Sequence, residues 1–248
     1  MGDCGFYITL PSNSSRHVYP SNTSSCYTTK FAKGIDLKGD WEVSLIEFQY
    51  PHTWKTFTRG ENAFELLDLK NDKTWKYELD TGYYSSILKL VIELNSHIKT
   101  HGLSVGYDEF KNRVFLKGEP QFSLKFSAKL EQILGLKPGE WWSATWYGTY
   151  PTDILAGFNI LYIYTDIIDY QCVGDSHVPL LRTVHITGRK NEVVTVTYDK
   201  PHYVPLSKRQ FDEICIEVKS DQNQLVSFVV GKVIAKLHFR PVKQSFRV

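Results

Sequence analysis

The chain has 248 residues, with 29 basic and 27 acidic side chains, and this length can bury a substantial core without disulfide or metal support. A formal net charge of +2 spread along the chain excludes the electrostatic footprint of a dedicated nucleic-acid binder. Fifteen Tyr, 14 Phe and 6 Trp suit pleated, half-buried surfaces, so a single β-rich domain is expected.

In chain order, Phe6 to Leu10 is a short β-prone run, and the Pro/Ser/Asn-rich segment from Pro11 to Ser25 reads as a long exposed arm or loop. Tyr27 to Phe31 resumes β character. Trp41 to Tyr50 alternates Val43, Leu45 and Phe48 with Glu42, Ser44 and Glu47, the pattern of a half-buried strand that Pro51 stops. Phe64 to Leu69 and Thr74 to Leu79 flank Lys70-Asn71-Asp72-Lys73, a polar connection that closes a hairpin.

The period then changes. Ile87, Val91, Leu94 and Ile98 recur at helical spacing after Ser85 or Ser86 as cap, with Gly102 as the stop. Val105 to Glu109 and Arg113 to Leu116 flank a turn at Lys111-Asn112, Phe122 to Phe126 alternates, and Ser127 caps a helix from Ala128 to Leu134 closed by Gly135. The sequence thus predicts a small α+β element inserted in a β framework, packed through the apolar face of its helix. Lys137-Pro138-Gly139 marks its exit and an aromatic loop follows, with Trp141, Trp142, Trp146, Tyr147 and Tyr150.

Phe158 to Arg182 holds the longest apolar segment. Ile160, Tyr162 and Tyr164 alternate with Leu161, Ile163 and Thr165, which predicts a strand covered on both faces. Its break runs from Asp166 to Asp175, and its return from Leu180 to Ile186. Val193 to Tyr198, Ile214 to Val218 and a long run from Val226 to Phe239 complete the β pattern. About ten β runs around one helical insert indicate a sandwich or jelly roll.

Chemistry is sparse. His97 and His101 stand four apart on the predicted helix and could face one metal ion, but no HExxH pattern or third ligand accompanies them, so two solvated histidines near a helix end are expected. Asp166, Asp169 and Asp175 read as strand-end and turn residues. Cys172 lies near His177 without a GxSxG elbow or other nucleophile signature, and no Gly-rich phosphate loop is present. Cys4, Cys26, Cys172 and Cys215 form no CxxC pair and read as reduced thiols. The aromatic loop at Trp141 to Tyr150 reads as core, interface or a stacking platform, with no basic patch beside it in sequence. Catalytic, cofactor-binding and metal residues are therefore assigned as none, and no enzyme activity is expected.

The N-terminus shows no signal-peptide pattern, and the most apolar window contains Asp153, Asn159 and Asp166, so no membrane span is expected. Met1-Gly2 lacks the Ser or Thr at the sixth position that myristoylation needs, and the glycosylation triplets at Asn13 and Asn22 are read as chance.

Several blocks taken together resemble the minor capsid (penton) protein of Polinton/Maverick, adintovirus-like elements. They are FYITLPSNSSRHVYPSNTSSCYTTKFAKGIDLKGDWEVSLIEFQYPHTW, YELDTGYYSSILKLVIELN with KLEQILGL, ILYIYTDIIDYQCVGDSHVPLLRTVHITG, YDKPHYVPLSKRQFDEICIEV and the closing GKVIAKLHFR. The resemblance spans nearly the whole chain. It implies one jelly-roll domain over residues 1–248, built of two facing four-stranded antiparallel sheets, with an α+β insertion at residues 77–136. It also implies a homopentamer at the vertices of an icosahedral virion, beside a double jelly-roll major capsid protein, assembled in the host nucleus or cytoplasm. No cofactor and no specific nucleic acid are implied. Such a ring subunit docks one patch against a different patch on its neighbour, and the Pro11 to Ser25 arm and the basic tail Lys243 to Arg247 are candidates for ordering on contact. The alternative is a carbohydrate- or receptor-binding β-sandwich module using Trp141, Trp142, Trp146 and Tyr147.

Overall fold

Residues 5–143 and 146–242, which the computed structural model describes, begin with β1 (Phe6–Pro11), β2 (Cys26–Asp36) and β3 (Trp41–Pro51). A compact unit from Lys55 to Gly157 then holds β4 (Ala63–Asp68), β5 (Lys73–Glu78), α1 (Ile87–Ile98), β6 (Ser104–Asp108), β7 (Arg113–Lys117), β8 (Phe122–Phe126), α2 (Ala128–Leu134) and β9 (Trp142–Ser143). The remaining strands are β10 (Ile160–Thr165), β11 (Gln171–Val173), β12 (Ser176–Val178), β13 (Leu180–His185), β14 (Val193–Thr197), β15 (Val204–Pro205), β16 (Gln210–Lys219) and β17 (Ile234–Pro241). Together with β1 to β3 they form the outer unit. Cys4 and the tail Lys243 to Arg247 lie outside the described residues.

The pairing in the outer unit is nested. β1 pairs with β17, β2 with β16, β3 with β14 and β10 with β13, all antiparallel. This is one long two-stranded ribbon that doubles back at the β10–β13 end. Rolled up, its successive segments fall alternately into two sheets, in the orders β1-β17-β3-β14 and β13-β10-β16-β2. That order is a jelly roll, a mainly β antiparallel sandwich, as the sequence indicates. One core fills the space between the sheets. Leu10, Val43, Phe48, Leu237 and Phe239 reach it from the first sheet, and Tyr27, Leu161, Ile163, Ile214 and Ile216 from the second. The Tyr27 hydroxyl crosses between sheets and donates to the Leu10 carbonyl at 3.0 Å. Full burial of a side chain such as Phe48 contributes about 1.5–3 kcal/mol.

The outer unit differs from the sequence reading in three places. β10 is covered fully on one face only: Leu161, Ile163 and Thr165 are buried, whereas Tyr162 and Tyr164 are half-buried. Tyrosine suits such a half-buried position because its ring packs along neighbouring side chains, as Tyr164 does under the Lys219 ammonium. The Asp166 to Asp175 break contains two short strands, β11 and β12, turning at Gly174. Residues 226–233 are not continuous strand, since regular pairing of β17 starts at Ile234. Of the two alternatives for the Pro11 to Ser25 segment, the structure shows the loop, tied down by side-chain bonds. The Asn22 amide donates to the Ser14 and Thr28 carbonyls and accepts from the Thr28 N–H at 3.0 Å, and the buried Ser25 hydroxyl donates to the Val226 carbonyl.

The inserted unit has its own core. Helix α1 starts at Ser86, whose hydroxyl accepts the Lys89 N–H at 3.4 Å, and it buries Ile87, Leu90, Val91, Leu94 and Ile98. A short 3-10 turn, Lys99–His101, then leads to Gly102. Phe64, Leu66, Leu116, Leu124, Leu130 and Ile133 complete the same core. The Asn95 side chain holds β6 by bonding both the N–H (2.7 Å) and the carbonyl (2.8 Å) of Val105. Ser127 precedes α2 as expected, but its hydroxyl donates to the Glu61 carbonyl and does not cap the helix. Gly135 closes α2 at φ +68°, where an added Cβ would stand 2.2 Å from the Tyr150 carbonyl oxygen, so only glycine fits.

The unit is wider than the 77–136 span. β4 pairs with both β5 and β8, and β8 with β9, so the hairpin from Ala63 to Glu78 and the stretch through Trp142 belong to one sheet with Phe122–Phe126. Long-range pairing through β4 sets these bounds, and the change of period at Tyr84 does not reveal it.

Candidate functional site

The predicted histidine pair lies in the inserted unit among aromatic rings. His97 sits 5.5 Å from the Tyr77 ring and 5.9 Å from Phe64, and His101 lies 4.6 Å from Trp75. His101 Nε2 and the Tyr77 hydroxyl are hydrogen-bonded at 2.9 Å. The two histidines are half-buried and pack beside β5. Among the described residues, no three His, Cys, Asp or Glu side chains gather in a metal-like group.

The carboxylates in the outer unit are spread among local tasks. Asp166 accepts the Cys215 N–H at 2.8 Å and pairs with Lys208 at 2.8 Å, which ties the end of β10 to β16. The Asp169 N–H donates to the Pro205 carbonyl at 3.0 Å, and Asp175 accepts the Ser176 hydroxyl. Cys172 and His177 are cross-strand partners in the β11–β12 hairpin, and Cys172 is exposed. The His177 ring is 5.7 Å from Tyr170. Burial pushes the Cys215 thiol up to about 11 and also raises Cys26, opposite to the depression that activates a nucleophilic cysteine.

The aromatic loop divides by depth. Trp142 is buried in β9 opposite Leu124, and its ring lies 6.1 Å from Phe126. Trp141, Trp146, Tyr147 and Tyr150 remain exposed, Trp146 most of all at 68%. A cleft of about 480 Å³ is lined by Trp141, Trp142, Trp146, Tyr147, Lys137 and Glu140, the last two joined by an ion pair. The structure also places cations against this region that sequence order keeps apart from it. The Lys111 ammonium lies 4.1 Å from the Tyr147 ring centroid, and Lys117 lies 5.0 Å from that of Phe115. The sequence reading of a platform without basic company is corrected there. The missed signal is the alternation Arg113, Phe115, Lys117, which puts two cations and a ring on one face of a strand.

No protein-family profile matches the chain, and no curated protein matches it in sequence. Among solved structures, the fold is that of the jelly-roll class, and one that it is similar to is the selenomethionine-labelled mavirus penton protein. The two share 10% sequence identity at a TM-score of 0.54, over 96% of this chain and 99% of the other. Coverage of 96% takes in residues of the inserted unit as well as the jelly roll. Among the described residues no helix is long and apolar enough to cross a membrane.

Proposed function

We propose that this chain is a structural capsid protein of the penton type, a ring subunit that closes as a homopentamer at the vertices of an icosahedral virion. The observation that carries the reading is the jelly roll with an insert between β3 and β10, similar in fold to the mavirus penton protein over nearly the full length of both chains. The resemblance of its sequence blocks to Polinton/Maverick minor capsid proteins supports the same role independently of the coordinates. The partner is then a double jelly-roll major capsid protein, and assembly takes place inside the host cell, in the nucleus or cytoplasm. A non-enzymatic role accords with Asp166, His101 and Cys215 each being engaged in local bonds or burial.

A ring of identical subunits needs two different docking patches and walls that hold their shape. Two sheets locked by a common core supply such walls, and exposed apolar side chains such as Val193, Val229 and Val230 supply sticky surface. The test is co-expression with the major capsid protein, followed by gradient purification of particles. Incorporation at five copies per vertex is expected. A folded chain that never enters particles overturns the reading.

A further inference from the structure

In the inserted unit, residues 146–148 add a third strand to the β6–β7 pair. The Leu116 N–H donates to the Trp146 carbonyl at 3.1 Å, the Gly148 N–H donates to the Val114 carbonyl at 2.8 Å, and Phe115 bridges to Tyr147. On the other side Phe115 faces Gly106, where an added Cβ would stand 2.2 Å from the Phe115 ring. The ring therefore lies flat over the glycine. Gly106, Phe115 and Tyr147 form one row across three strands, with the two rings 5.5 Å apart, while Val105, Val114 and Leu116 point the other way into the core.

Cations gather on the same face. Strand alternation places Arg113 and Lys117 beside Phe115, and the turn brings Lys111 over Tyr147. The acidic side chain opposing them is Asp108, 3.7 Å from Lys111 and accepting the Tyr147 hydroxyl at 3.4 Å. Hydrogen bonds from the Lys111 N–H hold the Asp108 carboxyl below its ordinary range, so it stays charged. Among the described residues of β6, β7 and their turn, this face carries Lys111, Arg113 and Lys117 against Asp108. Tyr147 and Trp146 then continue into the 480 Å³ cleft.

We propose that this face binds an acidic saccharide, a sugar bearing sulfate or carboxylate groups. The exposed side chains of Trp146 and Tyr147 offer apolar surface for the C–H face of a sugar ring, and Lys111 and Lys117, which lie over the Tyr147 and Phe115 rings, form with Arg113 charge-assisted hydrogen bonds to its acidic groups. A nucleic-acid strand fits less well. Three strands at about 4.8 Å spacing make a platform only about 10 Å wide, whereas single-strand grooves track at least about 4 nucleotides of backbone, and the chain's net charge of +2 provides little long-range attraction. The proposal deepens the carbohydrate-binding alternative read from the sequence and is independent of the capsid reading, because it is tested by binding and not by assembly.

The experiment uses the full chain in titration calorimetry with a heparin-derived hexasaccharide, 3′-sialyllactose, unsubstituted lactose and a ten-residue oligothymidylate. One of the two acidic saccharides is expected to bind in a salt-sensitive manner, at least tenfold tighter than lactose. Heparin fragment against sialyllactose separates sulfate from carboxylate recognition. The double variant K111S/K117S is expected to lose at least tenfold in affinity with unchanged thermal unfolding, and F115S at least fivefold. Absence of binding by both acidic saccharides at millimolar concentration overturns the proposal. Unchanged affinity in K111S/K117S, or oligothymidylate bound as tightly as the saccharide, also overturns it.

Discussion

In the outer unit Phe6 pairs with Phe239, 233 positions away along the chain, whereas in the inserted unit Asp108 pairs with Arg113 across a tight turn. The jelly roll closes through pairs that join the two ends of the chain, whereas the longest pairing inside the insert, Phe64 with Phe126, is far shorter in sequence. Loop-closure entropy therefore weighs on the first and little on the second. Each unit also has a separate apolar cluster. The contrast explains how the chain can carry a large insertion between β3 and β10: the insert has its own sheets and its own core.

If the cores are separate, a cavity in one should be felt there first. Phe48→Ala removes a fully buried ring from the centre of the jelly-roll core, and a loss of about 3–5 kcal/mol is expected. Urea unfolding followed at Trp41 and Trp54 by fluorescence, in variants lacking the other tryptophans, measures it. Leu94→Ala, on the buried face of α1, should cost about 2–5 kcal/mol within the insert. Native-state hydrogen exchange should then show Val105 and Leu116 amides opening before those of Leu161 and Leu237. Simultaneous loss of protection in all four would erase the distinction between the units.

How far each unit was legible in the sequence follows from the same contrast. Ser86, the Ile87-to-Ile98 period and the Lys70–Lys73 turn are local signals, and the helix and hairpin stand where they point. The sandwich class was legible from alternation, but strand order was not. Nothing in the residues around Phe6 says that their partner is β17; the family resemblance implies only a jelly roll of two four-stranded sheets, and the strand order is read from the structure. The β11–β12 hairpin was missed because three-residue strands around Gly174 carry too little alternation to separate from a loop. The cationic aromatic face was missed because Lys111, Phe115 and Tyr147 meet only once 146–148 pairs with β7.

Smaller effects sharpen the picture of the outer unit. Asn22→Ala breaks the bonds that fold the 11–25 loop onto β2, and a loss of about 1–3 kcal/mol is expected, read from the urea midpoint. If the segment behaves as a free arm, the change will be near zero. The Cys215 thiol, raised by burial to about 11 from an ordinary value near 9, gives a pH signature. The unfolded chain ionises first, so the thiol's contribution to stability is fully present below about pH 9 and is lost as pH rises toward 11. Cys215→Ala should flatten that part of the profile. The exposed pair Arg209 with Asp40, at 2.7 Å, should matter least, with Asp40→Asn shifting stability by less than about 1 kcal/mol.

The most direct test of the central claim is the native mass of the purified chain, alone and recovered from particles formed with the major capsid protein. A species at five times 28.6 kDa is the expected result. A chain that stays monomeric alone and remains absent from the particles would contradict the account.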